Sequence, residues 1–208
     1  MEWDYEFDVV VVGSGNGALT AALCSHDGGA KTLVIEKSSQ FGGTSATSGG
    51  GVWIPNNRYA KAENVDDSDQ DARNYINSVS PEGMIKDELI ETYISEGPRM
   101  IDYLHENSQV KYRNLAHYPD YFPDNTGGKE GNRSMEPEPI FGTKLGDDLG
   151  KLREQHPQTA FTMGPINMNF TQVEGQLLLG ALPGWKTQFA KLFTKYILDF
   201  AMRLKWGW

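Results

Sequence analysis

The chain has 208 residues, 28 acidic against 19 basic side chains, a net charge of −9 and 38% hydrophobic residues. That length and content allow one or two cored domains, and the negative balance argues against nucleic acid as a general partner. The lone cysteine, Cys24, excludes an internal disulfide, and no apolar run approaches the roughly twenty residues of a membrane span.

The acidic opening, Met1-Glu-Trp-Asp-Tyr-Glu-Phe-Asp, lacks an apolar signal region, so secretion is not expected. Val9 to Val12 form an uninterrupted β-branched run, the pattern of a strand buried on both faces of a parallel sheet. Gly13, Gly15 and Ala18 then fill the Gly-x-Gly-x-x-Gly/Ala pattern, with Ser14, Asn16 and Gly17 between them. Leu19 to His26 reads as a helix, with Cys24 a small packed residue within it, and Thr32 to Ile35 as a second strand ended by Glu36. Strand, glycines, helix, strand and acid in this order point to dinucleotide binding. Gly13 permits the tight turn, Gly15 admits a pyrophosphate, and Ala18 allows close helix–strand packing. The helix N-terminus offers oriented N–H groups, and Glu36 can accept from both hydroxyls of an adenosine ribose.

Lys37 to Pro55 is rich in glycine and hydroxyls: Gly43, Thr44, Ser45, Ser48, Gly49, Gly50 and Gly51. Such a backbone can press against a flat ring system and hydrogen-bond it from Thr44, Ser45 and Ser48. A flexible linker is the plainer reading, but linkers seldom carry Phe41, Val52, Trp53 and Ile54, which favour burial. The segment resembles the flavoprotein group that includes fumarate reductases and 3-ketosteroid dehydrogenases. Phe41-Gly-Gly-Thr-Ser-Ala and Ser48-Gly-Gly-Gly-Val-Trp-Ile-Pro look most like the 3-ketosteroid Δ1-dehydrogenases. The resemblance implies FAD as cofactor, with this segment along its isoalloxazine.

A parallel sheet needs several strands, and residues 7–35 supply two. No later run compares with Val9–Val12, so we expect the N-terminal portion of a longer enzyme whose further strands lie outside this sequence. Residues 63–71 are acidic, with Asp66, Asp67, Asp69 and Asp71, and read as a solvated turn. No calcium-loop pattern fits, and no metal site is expected. Ser68 is a candidate N-cap for a helix over Asp69–Val79. Pro81 breaks it, and a second helix follows over Ile85–Glu96 with Ile85, Leu89 and Tyr93 on a shared face. A third, from about Pro98 to His105, buries Met100, Ile101 and Leu104 and leaves His105 at the surface.

Val110–Arg113 reads as a short strand, and then comes His117-Tyr-Pro-Asp-Tyr-Phe-Pro-Asp. Tyr118, Tyr121 and Phe122, broken by prolines, suit a rigid loop that either faces a flat apolar ligand or packs for stability alone. Pro119-Asp120-Tyr121 is similar to the Pro-Asp-Tyr motif of the 3-ketosteroid Δ1-dehydrogenases. The resemblance implies that Tyr121 lies at the active site and assists another tyrosine acting as base, with Tyr118 against the steroid rings. Gly131-Asn-Arg-Ser-Met-Glu-Pro resembles the family's Gly-Arg-Ser/Thr-Met-x-Pro turn, with Asn132 inserted.

Met163, Met168 and Phe170 read as core packing, and Gln172–Ala181 as a helix ended by Pro183-Gly184. In the last stretch Phe189, Phe193, Tyr196 and Phe200 fall on one helical face, with Lys191, Lys195 and Lys205 opposite and Trp206 and Trp208 at the end. Such a helix either packs internally or lies in a membrane interface. Its Pro-Gly-Trp-Lys and Lys-Tyr-x-Leu-Asp-Phe pieces resemble an insertion of longer, cholestenone-type family members.

The expected fold is α/β, a Rossmann-like FAD-binding domain of the fumarate reductase/3-ketosteroid dehydrogenase type with an incomplete sheet. Residues 1–57 would be the N-terminal part of that domain, 58–184 cap or substrate-side segments, and 185–208 a membrane-attachment helix. The resemblance implies 1,2-dehydrogenation of a 3-keto-4-ene steroid, with proton loss from C2 and hydride passing from C1 to flavin N5. Cofactor contacts are expected from Gly13, Ser14, Gly15, Asn16, Gly17, Ala18, Glu36, Lys37, Gly43, Thr44, Ser45, Ser48, Gly49, Gly50 and Gly51. Tyr121 is the catalytic candidate, and Tyr118 and Tyr121 the substrate contacts. An electron acceptor, the C-terminal remainder of the enzyme and a membrane surface are the other expected partners, at the inner face of the membrane in the cytoplasm. Two alternatives stand beside this: a related flavin reductase or dehydrogenase acting on a small enoate, and a catalytically empty FAD-binding fragment.

Overall fold

The computed structural model describes residues 3–156, 161–163, 166–168 and 171–206. In chain order it runs β1 (Val9–Val12), α1 (Asn16–Asp27), β2 (Thr32–Ile35), α2 (Gly43–Thr47), β3 (Val52–Trp53), α3 (Arg58–Ala62) and α4 (Asp69–Val79). Then follow α5 (Asp87–Asn107), β4 (Tyr112–Asn114), β5 (Ser134–Pro137), a 3-10 segment (Gly142–Lys151), β6 (Phe161–Met163), β7 (Ile166–Met168), α6 (Gln172–Leu179) and α7 (Trp185–Trp206). These elements form two compact units: residues Met1–Gly50, Ile140–Phe170 and Ala181–Trp208 in one, Gly51–Pro139 and Thr171–Gly180 in the other.

In the first unit β1 and β2 pair in parallel, Val9 opposite Thr32 through Val12 opposite Ile35, with α1 as the crossover. Among the described residues this sheet has two strands. A parallel ladder normally has both faces covered, yet here Val10 is 52% and Val12 77% exposed. Helix α1 likewise buries no residue, and Cys24, expected as a packed side chain, is exposed. The 3-10 segment returns to the start of the glycine-rich stretch. Phe41 N–H donates to Lys151 C=O and Arg153 N–H to Phe41 C=O, both at 2.9 Å. The packing expected of Met163, Met168 and Phe170 lies outside the described residues.

The second unit is built on an antiparallel sheet in the order β3-β5-β4. The strand expected over Val110–Arg113 is β4, shifted to Tyr112–Asn114, while β3 and β5, two and four residues long, were not read from the sequence. Ile54, Ile101, Tyr112 and Met135 form one buried cluster, and Ala72, Ile90 and Ile94 another. Helix α4 starts at Ser68, whose hydroxyl accepts from Asp71 N–H at 3.1 Å, as expected. Helix α6 carries a capping box between Thr171 and Glu174. The buried Glu136 carboxylate also accepts from the first N–H groups of α6, Gln172 at 2.6 Å and Val173 at 3.3 Å. A carboxylate there complements the positive end of the helix dipole.

The largest departure from the sequence reading is α5. One helix of 21 residues replaces the two expected, and Pro98 lies inside it. Proline in a helix interior costs about 3 kcal/mol through its missing N–H and ring clash. Burial of Ile90, Ile94, Ile101 and Leu104 along one stripe offsets that cost, with two anchors on each side of the proline. The buried stripe is therefore not the Ile85, Leu89, Tyr93 face, which is exposed together with Met100. His105 is half-buried rather than at the surface, its Nδ1 2.8 Å from the Tyr59 hydroxyl.

The two faces are separable by experiment. Ile101→Ala is expected to lower stability by about 2–5 kcal/mol, as for other buried isoleucines. Leu89→Ala should stay within about 0.5 kcal/mol. Urea denaturation midpoints of the two variants check the assignment.

Candidate functional site

In the first unit the residues of the glycine fingerprint surround one buried hydroxyl. Gly13 has φ +99°, a left-handed conformation that glycine adopts without strain, and its N–H donates to Ile35 C=O at 2.7 Å. Gly15 is extended and precedes the first turn of α1, which carries no acidic side chain to compete with a phosphate. The buried Ser14 hydroxyl donates to Glu36 Oε2 at 2.5 Å and accepts from Gly42 N–H at 2.9 Å. One side chain thus joins the glycine turn after β1, the acid after β2 and the start of the glycine-rich stretch. The Ser45 hydroxyl accepts from Asn16 N–H at 3.0 Å, and a Cβ on Gly43 would sit 3.5 Å from Gly15. Gly13, Ser14, Gly15, Asn16, Glu36, Gly43 and Ser45 are brought together.

The remaining cofactor candidates are placed more loosely. Ser48 Oγ donates to Ser45 C=O at 3.0 Å. Gly17, Lys37, Thr44 and Gly49 are exposed, while Ala18 and Gly50 are half-buried. Gly51 belongs to the second unit. Ser14, followed by the Ser38 N–H bond to Oε1, holds the Glu36 carboxyl below the ordinary glutamate range. Each carboxylate oxygen has a second lone pair, so capacity for ribose hydroxyls remains.

The second unit carries the aromatic loop. Tyr121 is 85% exposed, Tyr118 half-buried and His117 exposed. Beneath Tyr121 lies a buried charge cluster that the sequence reading did not assign. Asp120 Oδ1 accepts from Trp53 Nε1–H at 2.6 Å, and Oδ2 from Lys129 N–H at 3.0 Å and Arg133 at 2.9 Å. Arg133 also grips Asp67, with Nη2 2.7 Å from Oδ1 and Nε 3.1 Å from Oδ2. Its guanidinium carbon lies 5.5 Å from the Trp53 ring centroid and 5.7 Å from that of Tyr75.

Asp67 is therefore not part of a solvated turn; its partner stands 66 residues away in sequence and could not be read from local composition. Asp71 likewise pairs with Lys129 at 3.0 Å, which holds its carboxyl below the usual range. The signal that could have flagged the cluster is Arg133 itself, the basic residue of the Gly131-Asn-Arg-Ser turn. Asn132 takes a left-handed φ of +69° there, and Arg133, directly after it, lies buried.

The first unit thus has the βαβ geometry of a dinucleotide-binding protein. Residues 8–184 match the family described as FAD binding domain, and the chain belongs to that family. It is 38% identical over 168 residues to a 3-oxosteroid 1-dehydrogenase of Mycolicibacterium smegmatis, covering 81% of this chain and 29% of that protein. It is 38% identical over 157 residues to a 4-oxocyclohexanecarboxylate 2-dehydrogenase of Sinomonas cyclohexanicum, covering 76% of this chain and 27% of that one. A crystal structure of 3-ketosteroid Δ1-dehydrogenase from Sterolibacterium denitrificans in complex with 1,4-androstadiene-3,17-dione matches 96% of this chain and 34% of that chain, with 38% identity and a TM-score of 0.86. The chain thus spans about a third or less of the length of these relatives. The resemblance read from residues 41–55 and 119–121 and the FAD cofactor both agree with these matches. The residues present fit FAD: a left-handed glycine turn, an acid-free helix start and an ionised Glu36 at the end of β2.

Because its folded pKa is depressed, Glu36 contributes stability above the ordinary glutamate pKa and loses it as pH falls through the depressed value. Ser14→Ala removes the main cause of that depression. Release of FAD on acidification should then begin at a higher pH in the variant than in the parent. Flavin fluorescence followed down a pH series checks this, and coincident release curves would contradict the Ser14–Glu36 assignment.

Proposed function

We propose that this chain is the FAD-binding part of a 3-oxosteroid 1-dehydrogenase, which desaturates C1–C2 of a 3-keto-4-ene steroid. The observation that carries the reading is the match of 96% of the chain, at TM-score 0.86, to a 3-ketosteroid Δ1-dehydrogenase. FAD, when bound, takes up the hydride leaving C1. The chain's own residues bind and orient: Gly13, Gly15 and the start of α1 for the pyrophosphate, Glu36 for the ribose. Tyr121 presents its hydroxyl from a rigid loop to support the base that removes the C2 proton, and Tyr118 offers a flat apolar contact to the steroid. The base, the groups that polarise the ketone and an electron acceptor for the reduced flavin come from outside this chain. Further strands of the same enzyme would cover the exposed apolar sheet formed by β1 and β2.

A second reading, action on a small ring ketone bearing a carboxylate, is favoured by the 4-oxocyclohexanecarboxylate 2-dehydrogenase relative. A carboxylate substrate calls for an uncommitted cation; of the arginines that flank the aromatic loop in sequence, Arg133 is bonded to Asp67 and Asp120, and Arg113 to Glu136. Turnover of the full-length enzyme with a 3-keto-4-ene steroid and with 4-oxocyclohexanecarboxylate, using an artificial electron acceptor, decides between them. Bound flavin without turnover of either would identify an FAD-binding fragment. With steroid, Tyr121→Phe is expected to lower kcat more than about tenfold, within the range of general acid–base assistance, at unchanged flavin content.

Helix α7 is the proposed attachment to the inner face of the membrane, from the cytoplasm. No helix among the described residues is long and apolar enough to cross a membrane. Phe189 is 40% and Phe193 45% exposed, which supports an apolar face available to lipid. The side chains of Tyr196, Phe200, Lys205 and Trp206 lie outside the described residues, as does Trp208. Residues 186–205 hold five basic residues and one acid, each base adding about 1 kcal/mol near an anionic surface. Phe189→Asp with Phe193→Asp should abolish co-sedimentation with anionic vesicles at unchanged flavin content. A parent protein that ignores such vesicles at low salt would refute attachment.

A further inference from the structure

The reading of Tyr121 as an active-site hydroxyl leaves open what holds so exposed a residue in place. The backbone on either side of it is anchored. Asp120 N–H donates to Lys129 C=O at 2.9 Å while Lys129 N–H returns a bond to Asp120 Oδ2 at 3.0 Å, closing a ring across the loop. Phe122 N–H donates to the Tyr75 hydroxyl at 3.3 Å. The loop is also pressed together behind Tyr121: a Cβ on Gly128 would lie 2.3 Å from Pro123 C=O, so only glycine fits there. Of the two adjacent residues, Asp120 is 6% exposed and Tyr121 85%.

Charge counting separates Asp120 from a simple counterion. Arg133 carries one positive charge, and Asp67 already neutralises it through paired bonds from Nε and Nη2. Asp120 is a second, equally buried carboxylate on the same guanidinium, with its side chain 2% exposed. A surplus buried charge is costly unless fixed donors surround it. Those donors are the Arg133 Nη1, the Lys129 N–H and the indole N–H of Trp53. Trp53 is itself clamped: its ring stacks on Tyr93 at 6.2 Å and 14° and leans on Tyr75 at 5.9 Å, and its C=O accepts from the Tyr93 hydroxyl.

We propose that Asp120 is a positioning residue for Tyr121, its buried carboxylate locking the tyrosine loop onto Arg133 and onto Trp53. The inference rests on the active-site reading of Tyr121. It adds a role for Trp53, which lies two residues after Gly51 in the stretch Lys37–Pro55. Through Asp120, displacement of Trp53 would be passed to the backbone that presents the phenol. Asparagine at this position keeps the shape and leaves Arg133 neutralised by Asp67. Its amide NH2, however, must face an N–H donor, so the loop shifts without losing its core.

The test is a double-mutant cycle in the FAD-loaded full-length enzyme with a 3-keto-4-ene steroid, alongside 3-fluorotyrosine placed at position 121. Asp120→Asn is expected to lower kcat about tenfold or more, the scale of small misplacements at a reacting centre, with KM within about twofold. In a Tyr121→Phe background the same substitution should cost less than about twofold, since a positioning residue has nothing left to position. The fluorine resonance, a single line in the parent, should move or broaden in Asp120→Asn. An equal loss of kcat in both backgrounds, or an unmoved fluorine line, would overturn the proposal while leaving the role of Tyr121 intact. Full turnover in Tyr121→Phe alone would overturn the reading of Tyr121 and the inference with it. Trp53→Phe, which keeps the stacked ring and removes one N–H, runs the same cycle if Asp120→Asn fails to fold.

Discussion

The second unit depends on one buried guanidinium. Arg133 is withdrawn from water between Trp53 and Tyr75, and its charge is met by Asp67 and Asp120 from segments 66 and 13 residues away. A buried ion pair contributes little net stability compared with an apolar filling, but removing one partner leaves an uncompensated charge and costs about 3–5 kcal/mol. The cluster ties the segment before α4, the strand β3 and the aromatic loop to one guanidinium. Asn56 and Ser68 N–H groups, each bonded to Asp67, complete the shell on one side. Trp53 and Lys129 complete it on the other.

The first unit is organised by a lighter device, a single serine hydroxyl. Ser14 uses its proton for Glu36 and a lone pair for Gly42 N–H. Two of the segments it joins are those which the glycine fingerprint assigns to phosphate and ribose, and the third is the one that the family resemblance assigns to flavin. The apolar surface is meanwhile left open on β1 and β2, so the Ser14 hydrogen bonds join these segments without hydrophobic cover over the sheet. Exposed valines on a parallel ladder, here Val10 and Val12, normally have cover from helices or further strands.

Helix α5 shows the same contest between local preference and packing. Pro98 and the preceding Gly97 argue locally for a break, and residues 85–96 and 98–105 each read as separate helices. The chain stays helical because Ile94 and Ile101, on either side of the proline, enter two different buried clusters of one unit. Burial of four aliphatic side chains outweighs one lost hydrogen bond.

The sequence by itself determined the features that repeat at short range. Val9–Val12, the glycines at 13 and 15, Glu36 and the Ser68 cap each follow from neighbours within a few residues. Dihedral preference, helix capping and hydrophobic period act at that range. Pro119-Asp120-Tyr121 was legible as a motif, but the task of its middle residue was not. Tertiary structure alone decided which acids of residues 66–71 are buried, which face of α5 is core, and that Asp120 and Asp67 share Arg133. Charge pairing across 66 residues depends on which surfaces meet after the chain has folded. No local spacing encodes that meeting, because a carboxylate that will be buried looks the same in sequence as one that stays in water.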